Sequence, residues 1–179
     1  MIIQLTGLSG AGKSTIAQHV AGKLVSSGIP AEVIDGDRYR KTVCKDLGFS
    51  KKDRCENIRR LGKIAAEKAR AGNVVILAAI NPYEEVRREL AQQYQAKTVF
   101  IDCNLPTLIN RDTKGLYYRA MLPPSHPDKL LNLTGVNDTY EAPNCPDLVL
   151  RTDQEQLEES AGKLYRYIVS RLPAAFISR

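Results

Sequence analysis

The chain has 179 residues and is 43% hydrophobic, with no tryptophan and a formal net charge of +6. That size suits one folded domain, and the apolar content excludes wholesale disorder. No stretch is apolar for long enough to span a membrane and no basic-then-apolar leader opens the chain, while the mild basic excess fits nucleic acid, an anionic surface or a small anionic substrate alike.

Ile2 to Thr6 is a short apolar strand. Ile16, Ala17, Val20, Ala21 and Leu24 then recur at helical spacing between Ser14 and Ser27, and Gly28 stops the helix. Ala31 to Ile34 reads as a second strand. Ser50-Lys-Lys-Asp53 matches a capping box before a long helix, with Ile58, Leu61, Ala65 and Ala69 on one face and Gly72 at its end. Val74 to Ile80 is an unbroken apolar run, as expected of a parallel strand covered on both faces. Asn81 and Pro82 predict the N-cap and first turn of another helix. Thr98 to Ile101 and Leu148 to Leu150 complete the strands, and Thr152-Asp-Gln-Glu155 predicts the cap of a final helix reaching about Leu172. Strands alternating with helices predict an α/β fold: a parallel five-stranded sheet with helices on both faces, in one domain over 1–179. The Pro- and Gly-rich stretch 113–146 is irregular and reads as a lid loop. Cys44, Cys55, Cys103 and Cys145 form no C-x-x-C pair and have no metal-finger spacing with His19 or His126, which predicts reduced thiols in a cytoplasmic protein.

Gly7-Leu8-Ser9-Gly10-Ala11-Gly12-Lys13-Ser14 fits G-x-x-x-x-G-K-[ST] and lies between a strand and an amphipathic helix. Glycines let successive N–H groups converge on phosphate oxygens, and the helix N-terminus adds partial positive charge at the same point. Lys13 is placed to reach the outer phosphates and the Ser14 hydroxyl to ligate Mg²⁺. With Thr15, this loop is the candidate nucleotide cradle. There is no guanine-reading N-K-x-D, and no apolar run ends in the paired acids of a hydrolytic ATPase. The short chain, early loop and lid therefore favour a three-layer P-loop kinase fold acting on a small molecule. Asp35 and Asp37 sit at the C-terminal end of a strand, where open α/β sheets bind ligands. One can order metal-bound water while the other accepts a hydroxyl proton. Arg40, Arg54 and Asn57 are candidate anion clamps, because arginine's planar fork suits phosphate and sulfate. Lys51, Lys52, Arg59 and Arg60 read as solvated surface charge.

Several further blocks carry a resemblance. They are Asp35-Gly-Asp37-Arg-Tyr-Arg40, Lys45-Asp-Leu-Gly-Phe49-Ser50, Asp53-Arg54-Cys-Glu56-Asn57-Ile-Arg59-Arg60, Ile80-Asn81-Pro82-Tyr83, Arg111-Asp-Thr-Lys114-Gly115-Leu116-Tyr117, Thr134-Gly135 and Tyr140-Glu141-Ala142-Pro143. From Gly7 to about Thr152 the sequence resembles the adenylylsulfate kinases. The resemblance implies transfer of the ATP γ-phosphate to the 3′-hydroxyl of adenosine 5′-phosphosulfate, with Mg²⁺ held by Ser14 and, partly through water, Asp35. It assigns catalytic roles to Lys13, Asp35 and Asp37, with Asp37 as base, and ATP-adenine stacking to Arg111. It places Asp37, Arg40, Phe49, Arg54, Asn57, Ile80, Asn81, Lys114 and Leu133 around the acceptor, Phe49 stacking on its adenine. It further implies a homodimer, with no nucleic-acid or membrane partner.

The chain departs from the family pattern in three places. Asn81 stands where many members have a serine described in some as a phosphoenzyme residue, which implies direct in-line transfer here. Leu133 replaces the phenylalanine before Thr134-Gly135. The lid segment 121–132 is longer than usual, and Asn137 replaces a familiar aspartate. These changes motivate a second reading, a related kinase with another acceptor, and more distantly a non-catalytic nucleotide-binding module. The charge is also local. Residues 38–63 hold ten Lys or Arg against three Asp or Glu, so this segment alone carries +7 beside the candidate acceptor site.

Overall fold

The structure, a computed structural model, describes residues 1–173. Strands β1 (Ile2–Thr6), β2 (Ala31–Asp35), β3 (Val74–Ala78), β4 (Lys97–Asp102) and β5 (Leu148–Arg151) form one sheet in the order β2-β3-β1-β4-β5. Every neighbouring pair is parallel, and Leu5 in the central strand lies opposite Ala78 on one side and Val99 on the other. The helices are α1 (Lys13–Ser26), α2 (Gly36–Arg40), α3 (Lys51–Arg70), α4 (Glu84–Tyr94), α5 (Leu105–Arg111), α6 (Leu116–Met121) and α7 (Leu157–Val169). No described helix is long and apolar enough to cross a membrane.

Strand periodicity divides the core into two layers. Ile3, Leu5, Ile76 and Val99 face α1 and α7, whereas Ile2, Val75 and Leu77 face α3 and α4. Burying such side chains fully contributes about 1.5–3 kcal/mol each, which drives both faces of the sheet to be covered. β1 lies between β3 and β4, so the loop leaving its C-terminal end emerges at a reversal of strand order, where open α/β sheets form a crevice.

The Ser50 cap is present as expected: its hydroxyl accepts from the Asp53 amide at 3.1 Å and donates to the Asp53 carboxylate at 2.7 Å. Other boundaries differ from the sequence reading. β3 ends at Ala78 rather than Ile80, and Asn81 is not a cap. Asn81 adopts a left-handed backbone (φ 47°) and is 1% exposed, and α4 begins only at Glu84 after Tyr83. The Glu84 amide is instead satisfied from across the chain by the Glu141 carboxylate at 2.7 Å. Thr152 is likewise no cap: α7 starts after Gln156 and ends at Val169, while the Thr152 hydroxyl donates to the Ala11 carbonyl at 2.9 Å. Three short helices, α2, α5 and α6, occupy stretches with too few residues to show helical periodicity, and α6 lies within the expected loop 113–146.

The residues that displace Asn81 from a capping role form a buried polar network between β1 and α4. Gln4 donates to the Arg87 carbonyl at 2.9 Å and to the Thr98 hydroxyl at 3.0 Å, and accepts from Asn81 Nδ2 at 3.0 Å. Arg87, 1% exposed, donates to the Asn81 carbonyl at 2.7 Å, the Glu84 carboxylate at 2.7 Å and the Glu141 carbonyl at 2.6 Å. This places one cation at the junction of β3, α4 and the returning lid. Arg87→Met removes that cation and leaves buried carbonyls and a carboxylate without their donor, so unfolding free energy should fall by about 3–5 kcal/mol. Chemical denaturation of the purified variant checks this, and a loss below about 1 kcal/mol would show the network to be dispensable.

Candidate active site

The loop from Gly7 to Gly12 curls over the end of β1 and runs into α1. A side chain at Gly7 would collide with the Ile101 carbonyl of the neighbouring strand, and Gly12 caps α1 in a left-handed conformation (φ 95°). These two glycines allow the backbone its tight turn. Its carbonyls then need partners beneath. The Lys13 ammonium donates to the Gly7 carbonyl at 2.9 Å and the Leu8 carbonyl at 2.7 Å. The Tyr117 hydroxyl donates to the Ser9 carbonyl at 2.8 Å, and Thr152 holds Ala11. Tyr117 and Thr152 were not among the sequence candidates. Tyr117 stood only as the last residue of the block from Arg111, with no role attached, and Thr152 resembled a helix cap.

Lys13 is buried, and burial lowers its ammonium to about 8 although the carboxylates of Asp37 and Asp35 favour the charged form. At the start of α1 the Ser14 hydroxyl donates to Asp35 Oδ2 at 2.5 Å. Asp35 Oδ1 caps α2, accepting the amides of Asp37 at 2.9 Å and Arg38 at 3.2 Å. Asp37 Oδ2 accepts from Lys114, from the start of the lid, at 2.5 Å. Ser14, Asp35, Asp37 and Lys114 thus form one hydrogen-bonded chain from the phosphate loop to the lid. Thr15 is exposed on the first turn of α1.

Arg111, at the end of α5, is exposed beside an open depression of about 850 Å³ lined by Pro106, Thr107, Ile109 and Asn110. It donates to the Thr152 carbonyl at 2.6 Å, so Thr152 ties it to the loop at Ala11.

On the opposite side, α3 delivers Arg54 and Asn57 on one face, 7% and 4% exposed. Neither is a solvated surface group. Phe49, in the turn before α3, is 53% exposed. The guanidinium carbons of Arg40 and Arg54 lie 4.7 and 5.4 Å from its ring centre. Arg40 also donates to the Gly48 carbonyl at 2.9 Å. Phe49 and Leu131 border a cavity of about 470 Å³ together with Lys51, Tyr83, Asp138 and Glu141.

The remaining acceptor candidates lie deeper. The Ile80 carbonyl receives the Gly7 amide at 3.2 Å and Asn81 belongs to the buried network, so both set the floor of the loop. Leu133, 5% exposed, packs in the core layer with Ala11, Leu108 and Tyr117, whereas Leu131 is 71% exposed. Arg59 pairs with Glu89, Arg60 with Asp46 and Glu56, and Lys51 with Glu85, in agreement with a surface role.

Comparison with known proteins bears on this arrangement. The family model for adenylylsulphate kinase matches residues 1–151. The chain is 44% identical over 164 residues to the adenylyl-sulfate kinase of Microcystis aeruginosa, covering 91% of this chain and 88% of that one. It is also 44% identical to a probable bifunctional SAT/APS kinase of Sorangium cellulosum, of whose length it spans 27%. The APS kinase of Mycobacterium tuberculosis, solved in complex with AMPPNP and APS, superposes with a TM-score of 0.85 at 36% identity, covering 94% of this chain and 98% of that one.

Lys13 must be protonated to pair with phosphate, and the free chain loses that proton above about 8. Binding therefore takes up a proton at high pH. Affinity for a nucleoside triphosphate should fall through that midpoint, approaching about tenfold per pH unit beyond it. Calorimetric titration from about pH 6.5 to 9.5 checks this, and constant affinity across the range would refute it.

Proposed function

The chain belongs to the adenylylsulfate kinase family, and from that premise we propose that it transfers the ATP γ-phosphate to the 3′-hydroxyl of adenosine 5′-phosphosulfate, yielding 3′-phosphoadenylylsulfate. The observation that carries this reading is the continuous chain from Ser14 through Asp35 and Asp37 to Lys114, which sets a carboxylate base beside a phosphate loop. Phosphoryl transfer asks the protein mainly for positioning and charge stabilisation. The amides of the loop and Lys13 hold the triphosphate, and Arg111 covers the ATP adenine. Arg40, Arg54 and Asn57 hold the acceptor, with Phe49 stacked on its adenine. Lys114 occupies Oδ2 of Asp37, and Oδ1 has no hydrogen-bond partner among the described residues, which leaves it to take the proton of the attacking hydroxyl.

Ser14 and Asp35 supply a hydroxyl and a carboxylate oxygen, donors that fit Mg²⁺. Among the described residues there is no group of three His, Cys, Asp or Glu able to hold a metal ion, which agrees with an ion that arrives with the nucleotide. When bound, Mg²⁺ neutralises charge on the phosphates. Transfer is direct: Asn81 cannot carry phosphate, and its Nδ2 donates to Gln4. Three of the four cysteines are buried and all are free, which supports a reducing, cytoplasmic setting.

A coupled assay of ATP consumption should show turnover with adenylylsulfate and not with AMP, and turnover with another acceptor alone would sink the proposal. Lys13→Ala and Asp37→Asn should each lower turnover by at least about a hundredfold. Enzyme incubated with γ-labelled ATP should retain no label at residue 81. A near-normal rate for Asp37→Asn would remove it as the base.

A further inference from the structure

Thr134-Gly135-Val136 is followed by Asn137 and Asp138, whose side chains take different partners. Asn137 closes the lid turn on itself, accepting from the Leu133 amide at 2.7 Å and donating to the Leu130 carbonyl at 2.6 Å. The next residue, Asp138, reaches out of the turn to Arg54 Nη2 at 2.8 Å. The same nitrogen donates to the Asn132 carbonyl at 2.7 Å, and Arg54 Nε donates to the Phe49 carbonyl at 2.9 Å.

One edge of the guanidinium is thus fully engaged. Nη1 makes no hydrogen bond among the described residues, and one turn along α3 the buried Asn57 Oδ1 has no partner. A spare charged donor beside a spare buried acceptor suits a ligand that offers anionic oxygens together with a hydroxyl or amino hydrogen. The planar fork makes the two edges of Arg54 interdependent: a group gripped at Nε and Nη2 has its Nη1 direction set.

We propose that Asp138 is a positioning residue for acceptor binding, holding Arg54 by its Nη2 edge so that Nη1 meets the anionic group of the acceptor. The inference rests on the reading of the acceptor as a phosphosulfate nucleotide. It makes the clamp a joint product of α3 and the segment 113–146, so acceptor affinity depends on a residue that acts through Arg54. Asp138 does not compete with the acceptor for Arg54, because it takes only the edge that the Phe49 and Asn132 carbonyls already share.

The test is steady-state kinetics of the wild type, Asp138→Asn, Asp138→Glu, Arg54→Ala and the Arg54→Ala/Asp138→Asn pair. Losing the ion pair with Arg54 should raise the acceptor KM about tenfold in Asp138→Asn, with kcat and the KM for ATP within about twofold. Asp138→Glu should recover part of the loss, and Asp138→Asn should add less than about twofold in the Arg54→Ala background. A slowly exchanging Arg54 Nη2–H signal in the wild type without substrate, lost in Asp138→Asn while the Nε–H bonded to the Phe49 carbonyl stays protected, gives a second readout should a variant fold poorly. An unchanged or lowered acceptor KM in Asp138→Asn overturns the inference. So does an equal rise in the KM for ATP, or an undiminished effect in the Arg54→Ala background. Wild-type activity on adenylylsulfate is the separate test of the functional reading. If the wild type phosphorylates another nucleotide instead, that reading falls, and the same variants measured with that acceptor decide the inference.

Discussion

The loop between β1 and α1 turns its carbonyls into the protein, and every buried carbonyl needs a donor. Much of this structure answers that requirement. Lys13 serves Gly7 and Leu8, Tyr117 serves Ser9, and Thr152 serves Ala11. The donors come from α1, α6 and the end of β5, elements far apart in sequence. The loop is therefore shaped by the closed fold and not by its glycines alone. Lys13 is drawn inward by the same requirement, which explains both its burial and its lowered proton affinity.

The second organising feature is the anchoring of the lid. Leu133 lies in the core beneath the loop, and a side chain at Gly135 would collide with Leu8. Glu141 caps α4 and accepts from Arg87. Lys114 reaches Asp37, and Asp138 reaches Arg54. The Lys114 and Asp138 anchors end on candidate site residues, so the position of this segment and the geometry around Asp37 and Arg54 are set by the same contacts.

The basic segment 38–63 reads differently once folded. Arg59, Arg60 and Lys51 are taken up by surface carboxylates, pairs that contribute little to stability. Arg40 and Arg54 instead lie over the Phe49 ring. The contrast between Arg54 and Arg60, two turns apart on α3, lies in burial: one is held by lid and loop carbonyls, the other by exposed acids.

The five strands, α1, α3 with its Ser50 cap, the phosphate loop, and the pair Asp35 and Asp37 were legible in the sequence. Each is declared by residues close together in the chain: apolar runs, helical spacing, a capping box, or a glycine pattern between strand and helix. The block resemblance added candidates in the stretch 113–146 and for the acceptor. What lay beyond reach depends on partners distant in sequence. Asn81 and Thr152 carried good cap chemistry, yet folding gave their side chains to Gln4 and to Ala11, and Glu141 capped α4 from 57 residues away. α2, α5 and α6 are too short for periodicity to show. Leu133 could be matched to a motif, but its burial beneath the loop, like the grip of Asp138 on Arg54, was decided only when the lid packed against α3 and the core, because which donor meets which acceptor is a property of the assembled chain.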